Sequence, residues 1–100
     1  MPRKPYLIRV KNNEQIPVNK GEFNIGRDGS RVDYCVKGNS AVSGCHASII
    51  IQGNQYAIED TNSTNYTYVN GQMILSNQKV PIMDGDMIRL ANEEFIFQLI

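Results

Sequence analysis

The sequence contains no tryptophan, one histidine, two cysteines and four alanines in 100 residues. Two cysteines, Cys35 and Cys45, are too few for a disulfide scaffold and are not spaced as metal ligands. One histidine cannot complete a structural zinc site with them, because such a site takes about four ligands. The thiols read as packing residues of a reducing compartment, and the chain as a cytoplasmic one. No apolar run exceeds three residues, which leaves neither a membrane span nor the apolar core of a signal peptide. Net charge is missing too, since ten Lys and Arg balance ten Asp and Glu. A general nucleic-acid binder needs surplus cations to displace counterions from phosphates, and a protein held on anionic lipid by charge needs the same.

The zero conceals an asymmetry. Residues 1–37 carry eight positives and four negatives, residues 59–100 carry two and six, and residues 38–58 carry no Asp, Glu, Lys or Arg. The length fits one domain over residues 1–100, large enough to bury an ordinary core without staples.

What is abundant favours sheet over helix: eleven Asn, eight Gly and four Pro, with twelve Ile. Tyr6, Ile8 and Val10 alternate with Leu7, Arg9 and Lys11, the period-two pattern of a first strand. Extended pieces follow at Ile16–Val18, Glu22–Ile25 and, within an irregular stretch, Tyr34–Val36. Gly53-Asn54 turns Ala47–Ile51 into Gln55–Glu59, with Ala47, Ile49 and Ile51 on one face. Asn70-Gly71 turns Tyr68-Val69 into Gln72–Leu75. Asp84-Gly85-Asp86 introduces Met87–Leu90, and Phe95–Leu99 closes the chain within a residue of its end. The expectation is an all-β sandwich or barrel of about eleven short strands, either complete or trimmed from a longer chain.

Enzyme motifs are absent: there is no P-loop, His-Glu-x-x-His, Cys-x-x-Cys or Gly-x-Ser-x-Gly. Ser43 and His46 lie three apart, but no carboxylate lies nearby in sequence to orient the imidazole. No catalytic residue, metal or cofactor is expected. What remains are polar residues at strand ends: Gly26-Arg27, Ser43-Gly44-Cys45-His46, and Asp60 through Asn70-Gly71. Loops at one end of a sandwich can converge on one rim. Guanidinium, hydroxyl, amide and glycine-exposed N–H groups together can hold a phosphate.

In this order, these residues resemble the forkhead-associated (FHA) domain. The blocks are Gly26-Arg27, Ser43-Gly44-Cys45-His46-Ala47, Asp60-Thr61-Asn62-Ser63-Thr64-Asn65-Tyr66-Thr67-Tyr68-Val69-Asn70-Gly71, and Asp84-Gly85-Asp86-Met87-Ile88-Arg89-Leu90. The resemblance implies an FHA/SMAD-like sandwich of about eleven mostly antiparallel strands, with binding loops at one end. It implies a partner protein or peptide carrying phosphothreonine, bound without nucleic acid or membrane insertion, by a domain that is monomeric or part of a larger protein. Arg27 would pair with the phosphate, Ser43 would donate its hydroxyl, and Thr64 would reach the phosphate or the threonine side. Asn65 would hold the peptide backbone, and the Gly44 N–H would serve as a further donor. Gly26 and His46 would organise the loops. From the basic N-terminal third, and apart from the resemblance, Arg31 or Lys37 would assist Arg27 at longer range.

Two departures stand out. The family commonly places Arg or Asn immediately after the pocket serine, where this chain has Gly44. The family's Asn-Gly-Thr is Asn65-Tyr66-Thr67, so Tyr66 must accept a glycine-like backbone or reshape the loop. Both favour an alternative, a phosphate-independent FHA-like assembly module, for example in a bacterial secretion or regulatory complex.

Overall fold

The computed structural model describes residues 3–100. Among them there is no helix, and hence none long and apolar enough to cross a membrane. Eleven strands follow in chain order: β1 (Pro5–Arg9), β2 (Glu14–Pro17), β3 (Glu22–Gly26), β4 (Tyr34–Cys35), β5 (Ala47–Gln52), β6 (Gln55–Asp60), β7 (Thr67–Val69), β8 (Gln72–Met73), β9 (Lys79–Pro81), β10 (Met87–Leu90) and β11 (Glu93–Leu99). They form two sheets, β2-β1-β11-β10-β7-β8 and β4-β3-β5-β6-β9. The expected all-β sandwich of about eleven strands is present. One strand pair, β3 with β4, is parallel. A parallel pair cannot be closed by a tight hairpin, so residues 27–33 make a longer excursion. That loop carries both Arg27 and Arg31.

The turns match their residues. Gln52 pairs with Gln55 around Gly53-Asn54, and Val69 pairs with Gln72 around Asn70-Gly71. Asn70 and Gly71 both take positive φ, 50° and 84°, as a type I′ turn requires.

The core lies between the sheets and includes Leu7, Phe23, Ile25, Ala47, Ile49, Ile58, Ile88, Leu90, Phe95 and Phe97. The predicted face of β5 is the inward one, with Ala47 and Ile49 buried and Ile51 packed against the cluster. The first strand alternates as expected, but its fully inward residues are Leu7 and Arg9, while Val10 lies exposed beyond the strand end. An arginine can face inward here because Glu93, on the neighbouring strand, receives its Nε at 2.8 Å. The remaining guanidinium nitrogens donate to the Lys37 carbonyl (2.9 Å) and the Tyr34 hydroxyl (3.2 Å). Glu93 also accepts from Asn39 at 2.9 Å. Isolated buried charges are costly, whereas this pair is satisfied on both sides. It fastens the six-stranded sheet to residues 37–39, on the approach to Ser43.

Candidate binding site at the loop end of the sandwich

The site begins where β3 ends. Gly26 lies so close to the segment before β5 that a Cβ there would stand 2.2 Å from the Gly44 oxygen and 2.9 Å from the Ser43 oxygen. This approach lets the Arg27 N–H donate to the Ser43 carbonyl (2.9 Å) and the Asp28 N–H to the Gly44 carbonyl (3.1 Å). The Arg27 side chain turns back along the same segment, its Nε donating to the Val42 carbonyl at 2.9 Å. Its terminal nitrogens have no partner among the described residues, so the guanidinium is anchored at one edge and open at the other.

Ser43 is set from the opposite side. Its Oγ accepts the Thr64 N–H at 3.0 Å, which leaves the hydroxyl proton to be donated elsewhere. His46, fully buried, explains the Ser43 backbone. Its Nδ1 accepts the Ser43 N–H at 3.0 Å, and its Nε2 bonds the Tyr66 carbonyl at 2.9 Å. A ring that accepts at Nδ1 and faces a carbonyl at Nε2 carries its proton on Nε2 and is neutral. Burial holds its pKa below the ordinary histidine value, against opposing pulls from the Tyr66 carbonyl and the Asp60 charge.

The loop after β6 is built on Asp60, which is fully buried. Its carboxylate accepts the Ser63 hydroxyl, the Thr67 and Ser76 hydroxyls (each 2.6 Å) and the Ser63 N–H (3.1 Å). Burial alone would raise its pKa, but the hydrogen bonds from Ser63, Ser76 and Thr67 outweigh it and hold the group below the usual carboxylate value. Further along, Asn65 donates Nδ2 to the Ala41 carbonyl at 2.9 Å, clasping this loop to the one before Ser43.

Tyr66 keeps the glycine-like backbone, with φ at 67°. Its carbonyl is gripped by His46 and by the Ala91 N–H at 3.0 Å, while its side chain is about half exposed. A left-handed conformation costs a non-glycine residue about 1–2 kcal/mol, of which glycine's greater unfolded freedom offsets about 0.5–1. Tyr66→Gly is therefore expected to stabilise the fold by about 0.5–1 kcal/mol, seen as a Tm increase of about 3–6 °C in a thermal melt.

These loops enclose a cleft of about 450 Å³ whose lining includes Arg27, Arg31, Ser43, Gly44, Thr64 and Asn65. All five residues expected to contact a ligand thus line one space, and the expected organisers Gly26 and His46 stand behind it. Lys37 does not line it. Two contributors were not assigned these parts from sequence. Arg31 was given only a distant role, yet lines the cleft. Asp60 lay in the motif without a function, although an aspartate three residues before a serine at a strand end is a recognisable side-chain-to-backbone turn. Chemically, the cleft offers guanidinium, hydroxyl, amide and main-chain N–H donors, the makings of an anion site.

Comparison with known proteins agrees with this architecture. FraH of Nostoc sp. is 31% identical over 103 residues, covering 93% of this chain and 36% of FraH. The transcriptional regulatory protein EmbR of Mycobacterium tuberculosis is 33% identical over 94 residues, covering 94% of this chain and 23% of EmbR. The chain therefore spans well under half the length of these curated relatives. The structure of EmbR in complex with a low-affinity phosphopeptide superposes with a TM-score of 0.88 at 32% identity, over 96% of this chain and 24% of that one. A structure from work on phosphothreonine-dependent FHA domain interactions superposes with a TM-score of 0.85 at 29% identity, over 95% of each chain. The profile of the FHA domain matches residues 23–91, and the chain belongs to the FHA domain family.

Proposed function

We propose that this chain is a phosphothreonine-peptide binding module, mediating phosphorylation-dependent protein–protein interaction in Ser/Thr kinase signalling. The observation that carries the reading is the pairing of Arg27 and Ser43 across one rigid backbone contact. The guanidinium is tied at Nε with its terminal nitrogens open, and the hydroxyl is oriented by the Thr64 N–H with its proton open. Both donors are preorganised, so little side-chain freedom is lost on binding. In this reading Arg27 pairs with the phosphate and Ser43 and the Gly44 N–H donate to it. Thr64 lines the threonine side, and the open atoms of Asn65 bond the peptide backbone. The partner is a protein displaying phosphothreonine in an extended segment. The two free thiols, Cys35 and Cys45, suit a reducing cytoplasm. The domain occupies residues 1–100, alone or within a longer chain.

Affinity for an isolated peptide should be about micromolar, because one phosphate and a few backbone bonds carry it. A pool of phosphothreonine nonapeptides with randomised flanks, titrated beside its unphosphorylated counterpart, tests the reading. Binding of the phosphorylated pool alone is expected, and Arg27→Ala should weaken it about 100-fold, since it leaves the phosphate without its anchored charge. Equal affinity for the two pools would overturn the assignment. The phosphate is mostly dianionic above pH ~6, so binding should weaken below that and at high salt.

A second reading, phosphate-independent assembly, is favoured by a separate hollow at the far end of β5 and β6. It measures about 570 Å³ and is lined in part by Ile50, Tyr56, Pro81, Met83 and Leu99, with Met83 71% exposed. The two readings separate cleanly. Partner capture that survives Arg27→Ala belongs to the second.

A further inference from the structure

Gly44 leaves the family's side-chain position after the pocket serine empty of side chain, but not of atoms. A Cβ built on Gly44 would stand 2.5 Å from Nη2 of Arg31 and 3.7 Å from its Cζ. The guanidinium of Arg31 therefore occupies the space that a side chain at position 44 would claim. It is held there as Arg27 is held, by its inner nitrogen: Arg31 Nε donates to Asp28 Oδ2 at 2.9 Å. The Arg31 N–H also bonds the Asp28 carbonyl at 2.9 Å, closing the turn that aims the side chain. Asp28 is itself fixed, since Oδ1 accepts the Ser30 N–H and hydroxyl, and its own N–H reaches the Gly44 carbonyl. The terminal nitrogens of Arg31 have no partner among the described residues, and the residue lines the same cleft as Arg27 and Ser43.

We propose that Arg31 is the second cationic donor to the bound phosphate, reaching over Gly44 from the β3–β4 loop to supply what residue 44 lacks. This rests on the phosphothreonine reading and extends it. The glycine and the arginine are one device: any side chain at 44 displaces Arg31, and only without one can the guanidinium lie against the Ser43-Gly44 backbone. Arg31 is worth less than Arg27, because Asp28 shares its charge. The recognised ligand is a dianionic phosphoryl group met by two guanidinium groups, in a neutral surround of hydroxyl and amide.

The test is a double-mutant cycle on Arg31→Ala and Gly44→Asn, read with the phosphothreonine peptide pool and its unphosphorylated counterpart. Arg31→Ala should weaken binding of the phosphorylated pool about tenfold with an unchanged melting temperature, and should flatten its salt dependence. Gly44→Asn alone should also weaken binding, because it ejects Arg31. In the Arg31→Ala background, the same substitution should strengthen binding by restoring a donor, without restoring the salt dependence. A reversal of sign between backgrounds is the signature. Additive effects, or an Arg31→Ala variant within about twofold of the parent, would overturn the proposal while the parent still discriminates phosphorylated peptide. A parent that does not discriminate would remove the phosphothreonine reading and this proposal together.

Discussion

Replacing Asp60 by alanine is expected to destabilise the domain by about 3–5 kcal/mol, a large share of the roughly 5–15 kcal/mol available to a domain. The carboxylate is the common acceptor for three hydroxyls and one main-chain N–H, all drawn from the loop that follows it and from Ser76. Alanine leaves those donors facing a void where water is scarce, and each buried unsatisfied group costs about 1–3 kcal/mol before relaxation. Asp60→Asn keeps the shape and one acceptor, so it should cost about half as much and separates charge from geometry. Acid makes the same distinction. The folded-state pKa of Asp60 lies below the ordinary carboxylate value, so on acidification the unfolded chain takes up the proton first. Its stabilising contribution is complete above the unfolded pKa, about 3.9, and is lost as pH falls through the folded value. Urea melts between pH 7 and pH 3 should therefore show a shallower acid loss for Asp60→Asn than for the parent. An Asp60→Ala variant melting within a few degrees of the parent would refute the network's role.

The same carboxylate shows why part of the site was legible in the sequence and part was not. Turns were readable because their chemistry is local: Asn70 and Gly71 take the positive φ that their residue types permit. The five expected residues that line the cleft were readable because they sit in short blocks at strand ends that resemble the FHA pattern, and loops at one end of a sandwich can converge. Asp60 sat inside one of those blocks, yet its acceptor role depends on Ser76, sixteen residues on, and on the depth at which the loop closes. The inward position of Arg9 was not legible for a related reason. Its alternation with Ile8 and Val10 fixes a strand but not which face turns inward, and the carboxylate that decides the matter lies 84 residues away. Arg31 is the hardest case. Asp28, three residues before it, aims the side chain, but that this turn lies over Gly44 follows from the path of an irregular loop between two parallel strands. Tyr66 shows the converse, a local rule broken where the surrounding hydrogen bonds from His46 and Ala91 fix the backbone regardless.

Gly26→Ala should abolish binding while adding only one methyl group. The new Cβ would meet three backbone atoms at once, the Gly44 oxygen at 2.2 Å, the Gly44 carbon at 2.7 Å and the Ser43 oxygen at 2.9 Å. No side-chain rotation relieves such contacts, so the segment carrying Ser43 must move away from β3. Overpacking of this kind costs about 1–3 kcal/mol, and the upper end applies where the obstacle is main chain rather than the tip of a side chain. The movement stretches the Arg27–Ser43 and Asp28–Gly44 hydrogen bonds that hold the two halves of the cleft in register. It also strains the Ser43 contacts to His46 and Thr64. An anion held between Arg27 on one side and Ser43 on the other then loses one set of donors. The expected result is a fall of at least about 100-fold in affinity for the phosphothreonine pool, with a domain that still folds but melts roughly 10–20 °C lower. Calorimetry and titration at a temperature well below the melting point separate the two effects. Gly26→Ala binding within about threefold of the parent under those conditions would mean that the close approach of β3 to Ser43 does not set the distance across the site.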